Sequence, residues 1–195
     1  MQVLVVLAHP SPTSFNHAIA DRAEQTLRSA GHEVRVLDLY ALGVRAEMSA
    51  EELHAYSSSE PILDPVVREH ADLVRSSQAL VFVYPTWWSS LPAILKGWIE
   101  RVMAPGVAFE LDERNRVRPL LRHVRHIVGI STYGSPRPYV RLIGDNGRRI
   151  LLRSLRLNAG LRSRTDWLGF FAIDTSTAAE RAAFLDRVAD RLGRL

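Results

Sequence analysis

Five short apolar runs punctuate the chain, separated by stretches in which apolar residues recur with a helical rhythm. Val3-Leu4-Val5-Val6-Leu7 is uninterrupted and β-branched, the pattern of a parallel strand covered on both faces. Val34–Leu39, Ala79–Tyr84, His126–Thr132 and Trp167–Ile173 read as four further strands. Between the first two, Ile19, Ala23 and Leu27 mark a helix that Gly31 stops. Asp64-Pro65 supplies the cap and first-turn proline of a helix reaching about Ser77. Pro92 opens another, with Ile94, Leu95, Trp98, Ile99 and Val102 on one face. Tyr139–Ala159 reads as largely helical, and Thr177-Ala178-Ala179-Glu180 has capping-box spacing ahead of Phe184, Val188 and Leu192. Glu47–Glu60 is polar without a clear period, a loop with room for a short helix, and Pro105–Pro119 reads as a loop-rich excursion.

Strands alternating with helices across 195 residues predict one α/β domain, doubly wound with right-handed crossovers. The apolar start, Met1–Ala8, has no basic flank and runs into His9-Pro10, so it reads as a buried strand rather than a leader or membrane span. A cytoplasmic protein acting in solution, without membrane insertion, is expected. Cysteine is absent, which excludes disulfides, thiolate nucleophiles and Cys-ligated metals, and no metal site is expected. The net charge is +4, and Lys96 is the only lysine. Arginine forks onto phosphate, which suits nucleotide ligands, although a bias toward Arg codons explains the composition equally well.

In sheets of this kind, ligands sit at the carboxyl ends of the strands where strand order reverses. The loop after the first strand, His9-Pro10-Ser11-Pro12-Thr13-Ser14-Phe15-Asn16, contains neither a G-x-G-x-x-G fingerprint nor a P-loop. It is a hydroxyl- and amide-rich turn at a helix N-terminus, suited to an anion, or simply a helix cap made by Ser14. After the third strand, Pro85-Thr86-Trp87-Trp88 places two adjacent indoles where a flat heteroaromatic ligand would stack. Trp98 reads equally as a ligand-stacking residue and as a core or dimer-interface residue, an alternative that weighs less for Trp87 and Trp88. After the fourth, Thr132-Tyr133-Gly134 leads to Tyr139: Gly134 permits close approach of backbone to a ligand, and Tyr139 is placed to donate to a developing negative charge or merely to start a helix.

In Leu7–Pro10, Thr13–Asn16, Asp38-Leu39-Tyr40, Pro85–Trp88 and Leu91-Pro92-Ala93-Ile94-Leu95-Lys96-Gly97-Trp98-Ile99-Glu100-Arg101-Val102, the chain resembles the NAD(P)H:quinone oxidoreductases of the flavodoxin-like fold, the DT-diaphorase and modulator-of-drug-activity group. The order and spacing agree from residue 1 to about 110. The resemblance implies a five-stranded parallel sheet in order 2-1-3-4-5 with helices on both faces. It implies that His9, Thr13, Ser14, Phe15 and Asn16 hold a flavin phosphate, that Pro85, Thr86, Trp87 and Trp88 line the isoalloxazine, and that Thr132, Tyr133 and Gly134 close its pyrimidine edge. Tyr139 becomes the catalytic residue, beside a pocket that NAD(P)H and a quinone-like acceptor occupy in turn for ping-pong hydride transfer. FMN is expected ahead of FAD, because the chain is short and lacks a long C-terminal extension. A homodimer is implied, and the density of Trp87, Trp88 and Trp98 agrees with an interface there. Two positions depart from the family pattern: Tyr133 stands where well-studied relatives carry a second glycine, and Asp145 where they carry a histidine. The departures imply a crowded ring edge and a missing cationic partner, a role open to Arg137 or Arg141.

Azo- or nitroaromatic reduction uses the same flavin hydride, and a flavodoxin-like electron carrier or regulatory subunit shares the fold. Carriers usually present an acidic docking face, whereas this chain is net basic. The arginines at 137, 141, 148, 149, 153, 156, 162 and 164 suggest a phosphate-tracking surface, yet no nucleic-acid motif accompanies them and nucleic-acid binding is not expected. Their position instead favours NADPH over NADH, with Arg137 and Arg141 nearest the site.

Overall fold

The computed structural model describes residues 1–195. The chain runs β1 (Gln2–Leu7), α1 (Phe15–Ser29), β2 (Glu33–Asp38), α2 (Ala50–Ala55), α3 (Pro65–Ser76), β3 (Ala79–Pro85) and α4 (Ala93–Val102). It continues through a hairpin, β4 (Phe109–Leu111) and β5 (Val117–Pro119), to β6 (His126–Thr132), α5 (Arg137–Ile143) and α6 (Asn146–Arg149). A π-helical stretch (Ile150–Leu155), α7 (Arg156–Ala159), β7 (Arg164–Phe170), a 3-10 turn and α8 (Ala178–Leu192) complete it.

The main sheet has the order β2-β1-β3-β6-β7, and every pair in it is parallel. This is the expected 2-1-3-4-5 order of the main-sheet strands. Strand order reverses at β1, which lies between β2 and β3, so a crevice opens beyond their carboxyl ends. Leu7 pairs with Asp38 and Val83, and Thr132 pairs with Pro85 and Phe170. This register brings the loops that follow side by side.

Alternation along the strands fills two cores. Val3, Val5, Leu7, Val81, Val83, Val128 and Ile130 face α1 and α8, which contribute Ile19, Ala23, Leu27, Phe184 and Val188. Leu4, Val6, Leu80, Phe82 and Tyr84 face the other way, against Val67 and Val74 of α3, Leu95 and Trp98 of α4, and Leu151 and Leu155 of the π-helical stretch. Each fully buried large side chain contributes about 1.5–3 kcal/mol relative to exposure.

Three expectations are corrected. The excursion at 105–119 contains the β4–β5 hairpin, its turn built by Asp112, which accepts from the N–H groups of Arg114 and Arg116. Strands of three residues are too short to show alternation against a charged background. The helix expected over 139–159 breaks at Gly144, whose φ of +78° is a region that side-chain-bearing residues rarely adopt. Asp145 then caps α6 by accepting from Arg148 N–H at 3.0 Å. The last sheet strand begins at Arg164, three residues before Trp167, because an edge strand tolerates polar residues such as Arg164 and Asp166.

The polar stretch before α3 is held down by one side chain. Arg101 of α4, only 4% exposed, donates to Glu52 at 2.9 and 2.5 Å, to Asp64 at 2.7 Å and to the Arg45 carbonyl at 2.9 Å. Glu52 belongs to the α2 capping box, and Asp64 caps α3. Gly97, one turn earlier on α4, lets this segment approach, since a Cβ there would collide with the Ala46 carbonyl.

Candidate functional site at the carboxyl edge of the sheet

The loop after β1 enters α1 through Ser14, whose hydroxyl accepts from the His17 N–H at 3.3 Å. The capping role read from the sequence is therefore real. The peptide N–H groups of Phe15 and Asn16, in the first turn, have no acceptor in the chain. Thr13 is exposed, with its hydroxyl 3.2 Å from that of Ser11. The Phe15 ring packs inward against Phe170 and Phe184, leaving only its N–H for a ligand. The Asn16 side chain is buried and donates to the Thr132 hydroxyl at 3.0 Å, so it ties α1 to the end of β6, while its Oδ1 has no partner.

The loop after β3 is a tight turn over Trp87-Trp88-Ser89-Ser90. Two backbone bonds close it, Trp87 N–H to Ser90 C=O at 3.2 Å and the reverse at 3.0 Å. Trp88 and Ser89 carry φ of +47° and +58°, a primed turn that normally selects Asn-Gly. Such positions cost about 1–3 kcal/mol each for ordinary residues and cluster at ligand sites. The N–H groups of Trp88 and Ser89 have no acceptor. Trp88 is fully exposed and Trp87 is 43% exposed, its ring 6.2 Å from that of His9. Pro85 is buried at the end of β3, and Trp98 lies in the core, its indole N–H donating to His70 at 3.3 Å.

In the loop after β6, Tyr133 turns inward rather than crowding an open edge. It is 2% exposed, stacks on Phe171 with centroids 4.5 Å apart, and donates to the Asp145 carboxylate at 2.5 Å. The space beside Gly134 is taken by Asp174, whose Oδ2 would lie 2.9 Å from a Cβ there. Tyr139 is half-exposed and lines a cavity of about 200 Å³ with Thr86, Trp88, Ser89, Tyr133 and Gly134.

The three loops are stitched together. Thr86 N–H donates to the Thr132 carbonyl at 2.8 Å, its hydroxyl is 2.7 Å from that of Ser131, and Asn146 N–H donates to the Ser89 carbonyl at 3.1 Å. All the residues expected at the site thus gather at one edge, whereas Trp98 does not.

A family model described as "Flavodoxin-like fold" matches residues 1–195. The chain belongs to that family. It is 32% identical over 161 residues to the human ribosyldihydronicotinamide dehydrogenase (quinone), covering 75% of this chain and 69% of that protein. It is 35% identical over 118 residues to an uncharacterized NAD(P)H oxidoreductase of Haemophilus influenzae, covering 60% and 57%. The solved NAD(P)H:quinone oxidoreductase of Methanothermobacter marburgensis superposes with a TM-score of 0.82 at 26% identity, covering 100% of this chain and 95% of that one. Several curated relatives are longer, and the matched region spans 49%, 57% and 55% of the length of three of them.

Within this flavodoxin-like site, burial lowers the His9 pKa, and the Ser11 N–H donates to its Nδ1 at 3.0 Å. Burial and then the Asp145 carboxylate push the Tyr133 phenol far above its ordinary range, fixing it as a donor. Sequence reasoning missed His17, which links Asp38 at 3.0 Å to the Ser14 hydroxyl at 2.9 Å, and Ser131, Ser89 and Asn146. The strand-end pair Ser131-Thr132 was a legible signal for Ser131; the others depend on contacts distant in sequence. No helix is long and apolar enough to cross a membrane.

Proposed function

We propose that this chain holds a flavin at the carboxyl edge of its sheet and is an NAD(P)H-dependent quinone reductase. The observation that carries this reading is the primed turn at Trp88-Ser89, where two strained residues present unpartnered N–H groups beside a cavity and two indoles. The fit extends to the α1 terminus. There the free N–H groups of Phe15 and Asn16, with the hydroxyls of Ser11, Thr13 and Ser14, suit a phosphate monoester. The names of the relatives agree with the reading.

A bound flavin supplies hydride exchange between a nicotinamide and a quinone. The chain's own residues orient and exclude. Trp87 and Trp88 offer flat faces, and the N–H groups of Trp88 and Ser89 donate to a heteroaromatic edge. The Tyr139 hydroxyl has no partner in the chain and is free to donate to negative charge developing on a bound acceptor. Asp145 does not oppose that charge freely, because Tyr133 and the Arg148 N–H hold its carboxylate. FMN is our choice over FAD: the ring and phosphate loops account for a flavin mononucleotide without drawing on any other residues.

We further propose a homodimer meeting at the site. Trp88 and Ile143 line its cavity and are exposed, and Leu142 next to Ile143 is exposed too, an apolar border that a second copy would cover. Light scattering should give twice the 21.9 kDa chain mass. The activity is tested by steady-state NAD(P)H oxidation with the quinone menadione, using flavin-loaded protein. Parallel double-reciprocal lines are expected, and no quinone-dependent turnover with either nucleotide removes the proposal.

A further inference from the structure

Beside the site lies a second, larger cavity of about 650 Å³ whose walls carry six arginines, Arg137, Arg141, Arg148, Arg149, Arg153 and Arg156. Residues 137–156 hold these six and one acid, Asp145, a net +5 against +4 for the whole chain. The positive charge of the protein is therefore concentrated here, and the remainder is close to neutral.

An ordinary solvated arginine face intersperses acids, and elsewhere this chain does so: Arg22, Arg28, Arg75, Arg116 and Arg194 each pair with a nearby carboxylate. In the cavity no guanidinium is ion-paired. Arg156 is engaged by the carbonyls of Leu161 and Ser163. The other five make no side-chain hydrogen bond within the chain, and Asp145 is already occupied by Tyr133 and the Arg148 N–H. Five converging, unneutralised guanidiniums repel one another unless an anion joins them.

The backbone that gathers them is unusual. Gly144 ends α5, with the Arg149 guanidinium lying beside it, and the next helix widens to π geometry over Ile150–Leu155. Such widening is rare and frequent at functional sites. Trp167 and Phe171 line the same cavity, and the Arg148 guanidinium lies 5.9 Å from the Trp167 ring centroid. A flat base therefore has an aromatic surface beside the cations.

Two wall residues, Val140 and Asp145, are common to this cavity and to the Tyr139 pocket. A ligand with a ring in one and phosphates in the other would occupy both. We infer that the arginine cavity receives the phosphorylated adenosine half of the nicotinamide nucleotide, and that its unneutralised charge selects the 2′-phosphate of NADPH. This inference rests on the proposed reductase activity. The 2′-phosphate is a monoester carrying about −1.5 to −2 charges, and its planar pairing with guanidinium is absent for NADH.

The test uses flavin-loaded protein and compares the native chain with Arg141→Ala/Arg148→Ala. Calorimetry measures 2′,5′-ADP binding and its competition with NADPH. Kinetics measure kcat/KM for NADPH, for NADH and for a phosphate-free N-alkyl dihydronicotinamide, with one quinone. Competitive 2′,5′-ADP binding is expected, with NADPH preferred over NADH by roughly tenfold or more. The double variant should lose most of that preference, chiefly through KM, and should show a flatter salt dependence. Equal use of NADPH and NADH by the native chain overturns the inference and leaves the reductase reading standing. So does 2′,5′-ADP that binds without competing with NADPH, or a preference unchanged in the double variant. Failure of all three reductants removes the reductase reading, and this inference with it.

Discussion

Tyr133 and Asp145, twelve residues apart, are joined by a 2.5 Å hydrogen bond from the phenol to the carboxylate. These are the two positions that the resemblance read from the sequence marked as departures from the family pattern, and in the fold they form one interaction. The bond holds the β6 loop to the cap of α6 and supplies a donor to a carboxylate that lines the Tyr139 cavity. A buried phenol needs an acceptor, and a partly buried carboxylate needs a donor; each supplies the other.

Tyr133→Phe should therefore destabilise the fold by about 1.5–3 kcal/mol, the range for a hydrogen bond to a charged group. Asp145→Asn alone should cost less, since an amide still accepts. A double-mutant cycle in urea should show coupling of about 0.5 kcal/mol or more, and additive effects would show that the pair carries no energy of its own.

Arg101 makes acid sensitivity specific. Burial works against ionisation of Glu52 and Asp64, but Arg101 and backbone N–H groups outweigh it and hold both carboxyls below their ordinary range. Groups with depressed folded-state pKa values contribute stability that is complete above the unfolded pKa, near 4, and is lost as the pH falls through the lower folded value. Arg101→Met should cost about 3–5 kcal/mol at pH 7, by removing the guanidinium that both carboxylates share and leaving Glu52 only its longer contact with Arg45. Its stability should fall less steeply than that of the native chain between about pH 5 and pH 3, as read by denaturation midpoints.

Gly97→Ala forces a methyl group against the Ala46 carbonyl. Overpacking of this kind costs about 1–3 kcal/mol, and here the obstacle is backbone. The melting temperature should fall by roughly 2–4 °C per kcal/mol, and an unchanged value would mean that the segment before α2 moves aside at no cost.

The fold was legible because its signals are local. Uniform apolar runs announced the buried strands, and Asp64-Pro65 and Thr177–Glu180 announced their helices through capping chemistry. The hairpin at Phe109–Pro119 and the helix break at Gly144 were not legible, since each depends on a turn conformation rather than on periodicity. At the site, the loop positions were readable, but the directions of side chains were not. Phe15 and Tyr133 turn inward because Phe170, Phe184 and Phe171 receive them, and Asn16 is drawn to Thr132 across 116 residues of sequence. The arginines were visible as a run, yet that six of them line one cavity, without Arg162 and Arg164, emerges only in the fold.

Tyr139→Phe should leave folding and flavin content intact while lowering kcat by about a hundredfold to a thousandfold, the scale for a donor acting on developing charge. The effect belongs in kcat with quinone. A change confined to the KM for nucleotide would make Tyr139 a binding residue instead.

The central claim is that a flavin at this sheet edge carries hydride between nucleotide and quinone. It is tested most directly by an anaerobic titration of the purified, flavin-loaded protein, followed by visible absorbance. The account predicts that one equivalent of NADPH bleaches the flavin band and that one equivalent of menadione restores it. Protein that retains neither FMN nor FAD, or a flavin band that no nicotinamide nucleotide bleaches, would contradict it.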